Sequence, residues 1–164
     1  MTLQIAVVGG GEPTEEDAGK AEEIGRALAN HGAVVISGGL GGVMAAACRG
    51  AKSAGGLTVG LLPGRHPRDA NPWVDIAIPT GLGESRNALV VAAAAAVIAV
   101  GGEYGTLSEI ALALRSGKPV VGVGTWSLTR PDGSPDGGIV PAVDACDAAE
   151  IAVALASEAS DGPR

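Results

Sequence analysis

Residues able to do chemistry gather in a few short runs of this chain. The most informative is Gly101-Gly102-Glu103-Tyr104-Gly105-Thr106-Leu107-Ser108-Glu109, which follows the charge-free apolar run Ala88–Val100 and opens a helical pattern. A strand that passes through glycines into a helix start presents unpaired N–H groups, and glycine lets an anion reach them. The hydroxyl and N–H of Thr106 can add two donors to phosphate oxygens. Glu109 falls about one turn into the helix. A carboxylate there exceeds what a phosphate cradle needs and points to acid–base chemistry or a sugar hydroxyl. Glu103 lies inside the same turn, where a carboxylate repels phosphate unless it points away.

A second glycine-rich turn, Gly38-Gly39-Leu40-Gly41-Gly42, also follows an apolar strand, as does Gly9-Gly10-Gly11. One such turn alone serves close helix–strand packing equally well; two, with Thr106, favour an anion site. Arg86 and Asn87 open a helix after Gly81-Leu82-Gly83-Glu84. Arg86 either pairs with Glu84 at the surface or stands beside the Gly101–Gly105 turn, facing a phosphate or Glu109. The common nucleotide fingerprints fail: a dinucleotide motif from Gly9 and Gly11 requires glycine where Thr14 stands, and Gly50-Ala51-Lys52-Ser53 breaks the Walker spacing.

The elements that must position these residues alternate in type. Strands are expected at 3–8, 33–37, 57–62, 74–78, 96–100 and 120–123, and helices at 15–30, 43–54, 85–94, from Gly105 to about 116, and 147–157. Thr14 resembles an N-cap, with Asp17 three residues on. Segment 129–138 reads as a surface loop, and the tail 158–164 is expected to be disordered. The alternation predicts an α/β, Rossmann-like, three-layer fold in one domain over 1–164, its mostly parallel sheet covered by helices on both faces. All three glycine clusters then fall on the carboxyl edge of the sheet, where such folds bind ligands.

The 164 residues include 27 glycines and no phenylalanine, so Ala, Val, Leu and Ile must build the core. A net charge of −7 argues against non-specific nucleic-acid binding. The run Ala88–Val100 is too short to span a bilayer, and the N-terminus lacks the basic region of a signal peptide. Cys48 and Cys146 lack metal-ligand spacing, and only His31 and His66 could join them. The expectation is no metal site, two buried thiols and a cytoplasmic protein.

Together, Ser37–Met44, Arg86-Asn87 and Gly101–Glu109 resemble the LOG family, also called lysine-decarboxylase-like, within a wider group that includes the DNA-processing protein DprA and molybdenum cofactor carriers. The resemblance covers roughly residues 3–125, in the right motif order. It lies nearest the short bacterial subgroup similar to the plant and algal molybdenum cofactor carrier. It implies a Rossmann-like homodimer or higher homo-oligomer that binds a nucleoside monophosphate or a pterin phosphate. LOG enzymes hydrolyse the N-glycosidic bond of such monophosphates to free base and ribose 5-phosphate. Carried over residue by residue, the catalytic pair is Arg86 and Glu109. The phosphate or nucleotide site comprises Gly9, Gly10, Gly38, Gly39, Gly41, Gly42, Met44, Asn87, Gly102, Glu103, Tyr104, Gly105 and Thr106. No cofactor is required, and molybdenum cofactor is a candidate carried ligand.

Three departures stand out. Glu103 replaces a glycine of the family's turn, Asn87 replaces the lysine after the arginine, and Ala94-Ala95-Ala96 replaces an acidic Ala-Asp-Ala. The first two fall in the site and lean toward a carrier or sensor that returns its ligand unchanged. A lysine decarboxylase is unsupported, since none of Lys20, Lys52 and Lys118 sits in a glycine turn.

Overall fold

The chain is described by a computed structural model covering residues 2–161. Seven strands form one all-parallel sheet in the order β4-β3-β2-β1-β5-β6-β7. They are β1 (Gln4–Gly9), β2 (Val34–Ser37), β3 (Thr58–Leu62), β4 (Ile76–Pro79), β5 (Ala96–Val100), β6 (Val120–Val123) and β7 (Ile139–Pro141). The helices are α1 (Glu15–Asn30), α2 (Val43–Ser53), α3 (Asn87–Ala93), α4 (Tyr104–Arg115) and α5 (Ala145–Asp161). No described helix is long and apolar enough to cross a membrane.

Alternation along the strands divides the core. Ile5 and Val7 of β1 face the layer of α1, α2 and α5, while Ala6 and Val8 face that of α3 and α4. All five residues of β5 are fully buried, as a central parallel strand requires. Small side chains let α1 and α2 approach to backbone contact: a Cβ on Gly25 would meet the Ala47 carbonyl oxygen at 1.9 Å, and one on Gly50 would meet that of Glu22 at 1.8 Å. This buries the small-residue face of α2 against α1, while α3 keeps Leu89 exposed.

Several element ends differ from the sequence reading. The helix expected from residue 85 begins as a 3-10 turn over Gly83–Arg86 before α3. The short strand β7 follows the loop expected at 129–138 and is not among the expected strands. Helix α5 starts at Ala145, because Asp144 accepts from the Asp147 N–H while Asp147 accepts from the Val143 N–H, and it continues to Asp161. Within the tail expected to be disordered, 158–161 is therefore helical, and 162–164 lie outside the described residues. Only one of the two thiols is buried: Cys48 lies beneath Ser37, and Cys146 is exposed in the first turn of α5.

The chain steps outward from β1 through β2 and β3 to β4, then returns to β1's other side with β5 and continues to β6 and β7. The order therefore reverses between β1 and β5. Loops leaving their carboxyl ends diverge and open a crevice at that point.

Candidate functional site

The crevice is an open cleft of about 310 Å³. One wall is the turn after β1: Gly9, Gly10 and Gly11. A second is the first turn of α4, with Glu103, Gly105, Thr106 and Glu109. The 3-10 turn and the start of α3 contribute Glu84, Arg86 and Asn87. Leu40, Met44 and Pro63 close the remaining side.

Arg86 is held from below. Its Nη1 donates to the Leu61 carbonyl at 2.9 Å, and the guanidinium lies flat against Gly38, whose missing Cβ would stand 1.9 Å from Nη1 and 2.6 Å from the Met44 sulfur. Gly38 is thus the gap that admits Arg86, a role no spacing rule reveals. The residue is only 8% exposed, yet its Nε has no hydrogen-bond partner. A buried guanidinium donor without an acceptor is costly unless a ligand supplies one.

Glu109 is 7% exposed. Burial pushes its carboxyl up to about 7, against the opposing pull of Arg86. Burial also draws Arg86 below the usual arginine range, with Glu109 acting in the opposite direction. The two feel each other's charge without closing an ion pair, and a group titrating near neutrality in a cleft is suited to proton transfer.

The turn into α4 is packed at its start and open at Gly105. Gly102 adopts φ +103° and presses against the Thr106 side chain, which is buried. Nothing lies within 4 Å of a Cβ built on Gly105. Asn87 donates to Ser108 Oγ at 3.1 Å, and Ser108 donates to the Gly105 carbonyl at 2.7 Å, fastening the start of α3 to this turn. Glu103 occupies the N-cap position of α4 with extended backbone and makes no capping hydrogen bond.

Of the residues expected from sequence, Gly9, Gly10, Met44, Arg86, Asn87, Glu103, Gly105, Thr106 and Glu109 line the cleft. Gly38, Gly39, Gly42 and Gly102 stand behind it as spacers. Gly39 packs on Gly60 and Leu62, and Gly42, at φ +64°, lies against the Gly10 and Gly11 carbonyls while the Val43 N–H donates to Gly10. Gly41 is exposed in open space outside the lining. Tyr104 is 80% exposed and leans on Trp126, ring centroids 5.8 Å apart, rather than into the cleft. Arg86 is anchored to the Leu61 carbonyl and the Gly38 turn, and it shares the cleft with Gly105, Thr106 and Glu109. Gly11, Leu40, Pro63 and Glu84 line the cleft unforeseen as ligand contacts; their signal was position on the same sheet edge.

A hollow of about 370 Å³ beside β6 and β7 is lined by Trp126 and by one charged side chain, Asp136. That carboxylate already accepts from Arg130 and from the Gly138 N–H. Trp126 Nε1 is buried there without a hydrogen-bond partner, whereas the Arg86 cleft brings together an unpartnered guanidinium Nε and three carboxylates.

A Rossmann-like sheet with a ligand cleft at its switch point is the class that fold and site define. More narrowly, the chain belongs to the SLOG cluster4 family, whose model matches residues 2–157. It is 50% identical over 118 residues to an uncharacterized protein of Archaeoglobus fulgidus, covering 72% of this chain and 78% of that one. Among solved structures it is similar to the molybdenum cofactor binding protein of Rippkaea orientalis, with 35% identity, TM-score 0.85, and coverage of 94% of this chain and 98% of that one. The molybdenum cofactor carrier protein of Chlamydomonas reinhardtii superposes with 36% identity, TM-score 0.83, and coverage of 96% and 99%. DNA processing protein A of Helicobacter pylori shares the fold alone, at 23% identity, TM-score 0.68, and coverage of 95% and 81%. The LOG-type resemblance, with its nearness to the molybdenum cofactor carriers, is therefore borne out, and DNA processing protein A shares the fold.

Proposed function

We propose that the cleft binds a phosphorylated ring ligand, a molybdenum-cofactor-type pterin phosphate, and carries it unchanged. The observation that supports this best is Arg86, buried to 8% exposure and lacking an acceptor for Nε, on the wall of a cleft that also presents the first turn of α4. Arg86 would supply fixed positive charge. The N–H groups of the α4 turn and the Thr106 hydroxyl would bind phosphate oxygens. The site is open, so a ligand as large as a pterin phosphate can enter and leave. The likeness to two molybdenum cofactor binders over nearly the whole chain supports the cargo.

A second reading is favoured by one observation, the carboxyl of Glu109 held near 7. Such a group can stabilise the positive charge that develops on a ribose during N-glycosidic cleavage, or orient the attacking water. In that case the chain hydrolyses a nucleoside 5′-monophosphate to free base and ribose 5-phosphate. The protein is read as a cytoplasmic homodimer meeting through α3, where Leu89 is 39% exposed. The acidic chain is not assigned nucleic acid as a partner.

Incubation with a panel of nucleoside 5′-monophosphates and with pterin phosphates, followed by chromatography, separates the readings. Ligand recovered intact with a raised melting temperature supports the carrier. Base released by wild type and lost in Arg86→Ala and Glu109→Gln supports the hydrolase. No shift and no release would contradict both.

A further inference from the structure

The cleft that we read as a phosphate site is poor in positive charge. Its charged lining is one arginine, Arg86, against three carboxylates, Glu84, Glu103 and Glu109. Counting Glu109 as neutral still leaves two negative charges to one positive. A phosphomonoester arriving as a dianion meets net repulsion, and that repulsion is strongest at Glu103, whose backbone belongs to the turn offering the N–H groups.

Glu103 performs no structural task that would explain it. It stands at the N-cap of α4 and accepts no hydrogen bond there. It is exposed, and no ion pair joins it to a lysine or arginine among the described residues. Glu84, across the cleft, is likewise exposed and unpaired. Meanwhile Arg86, more than nine-tenths buried with Nε unsatisfied, calls for an anion in the same cleft. A divalent cation resolves the conflict. Magnesium keeps several waters and is commonly held by one or two carboxylates plus the phosphate of a ligand. Such a site needs no cluster of three protein ligands, and no group of three metal-ligating side chains gathers among the described residues.

We propose that the phosphorylated ligand binds as its magnesium complex, with the Glu103 carboxylate as the protein's ligand to the metal and Glu84 holding its water shell. This rests on the phosphate-binding reading above and turns Glu103 from an obstacle into the group that selects metal-bound phosphate. The bare protein presents too few ligands to hold the ion; the phosphate completes the site.

Calorimetric titration with 5′-guanosine monophosphate tests it, with magnesium or with EDTA, on wild type, Glu103→Gln and Glu103→Gly. For the wild type, magnesium is expected to tighten binding about tenfold or more, the scale of one compensated charge contact. Both variants are expected to lose that dependence and to bind the metal-free nucleotide at least as tightly as wild type, since the repulsion is gone. A carboxylate that merely complements the dipole of α4 would lower melting temperature on replacement and leave the magnesium dependence intact. Equal wild-type affinity with and without magnesium, or full dependence retained in both variants, overturns the inference while leaving phosphate binding in place. No binding of the nucleotide by any protein under either condition overturns this inference, and no binding of a pterin phosphate in the same titration overturns the phosphate-binding reading too.

Discussion

The two glycine turns that flank the cleft look alike in composition and differ in employment. In the Gly38–Gly42 turn, a Cβ on Gly38 would collide with Arg86, one on Gly39 with Leu62, and one on Gly42 with the Gly10 carbonyl oxygen at 2.3 Å. This turn is a packed spacer: glycine is there so that an arginine and three loops can lie together. The Gly101–Gly105 turn is packed only at its start, where a Cβ on Gly101 would meet the Asp17 carboxylate at 2.8 Å and one on Gly102 the Thr106 side chain; Gly105 has open space around it, and Glu103 and Tyr104 are exposed. The N–H groups of that turn are available to a visitor. Glycine content marks close approach in both cases, once by the protein itself and once by a ligand.

Substitution at the two turns separates these jobs. The largest effect is expected at Gly42→Ala, which meets backbone oxygens at 2.3 and 2.5 Å from a residue at φ +64°. A loss of about 2–4 kcal/mol of stability is expected, read as the denaturant midpoint. Gly38→Ala is expected to cost less stability, because a side chain can move where a backbone cannot, but to displace Arg86 and weaken phosphate-ligand binding at least about tenfold, measured by calorimetry.

Glu109 supplies an intermediate effect with a definite sign. Its carboxyl ionises near 4.5 in an unfolded chain and at about 7 in the fold. The folded protein therefore retains a proton that the unfolded chain gives up. Its stabilising contribution is complete below about pH 4.5 and is lost as pH rises through 7, amounting to on the order of 3 kcal/mol. Glu109→Gln should flatten that part of the stability–pH profile between pH 4.5 and 7, seen in denaturant midpoints across the range. Lys118 provides a control remote from the cleft. Its Nζ donates to the carbonyls of Val91, Ala92 and Ala94 and so closes the end of α3. Lys118→Met should cost about 1–3 kcal/mol and leave ligand affinity unchanged. The smallest effect is expected at Gly105→Ala: without steric conflict in a helical turn, stability should hold or rise by up to about 1 kcal/mol, while ligand affinity falls.

Much of this contrast was hidden in the sequence. Strands β5 and β6 were legible to the residue because each is a short β-branched apolar run ended by a glycine, Gly101 and Gly124. Thr14 was legible as a cap, and its Oγ1 does accept from the Asp17 N–H at 3.1 Å. Strand β7 was not, since three residues after a Gly-, Pro- and Asp-rich loop carry no periodicity. Glu109 and Arg86 could be singled out as charged residues at helix starts beside glycines, but the contact of Arg86 with Gly38 depends on β3 lying next to β2, which spacing along the chain cannot report. The neighbour Glu84 was read only as a surface partner for Arg86, yet it lines the cleft unpaired.

The central claim is that the Gly101–Gly105 turn gives its N–H groups to the ligand, while the Gly38–Gly42 turn holds the arginine and offers the cleft only the Leu40 side of its wall. Backbone amide shifts on adding 5′-guanosine monophosphate with magnesium to nitrogen-15-labelled protein test it most directly. The account predicts the largest perturbations at Gly102, Glu103, Gly105 and Thr106, with those of Gly39–Gly42 small. Largest perturbations at Gly39–Gly42, or none anywhere in the cleft, would contradict it.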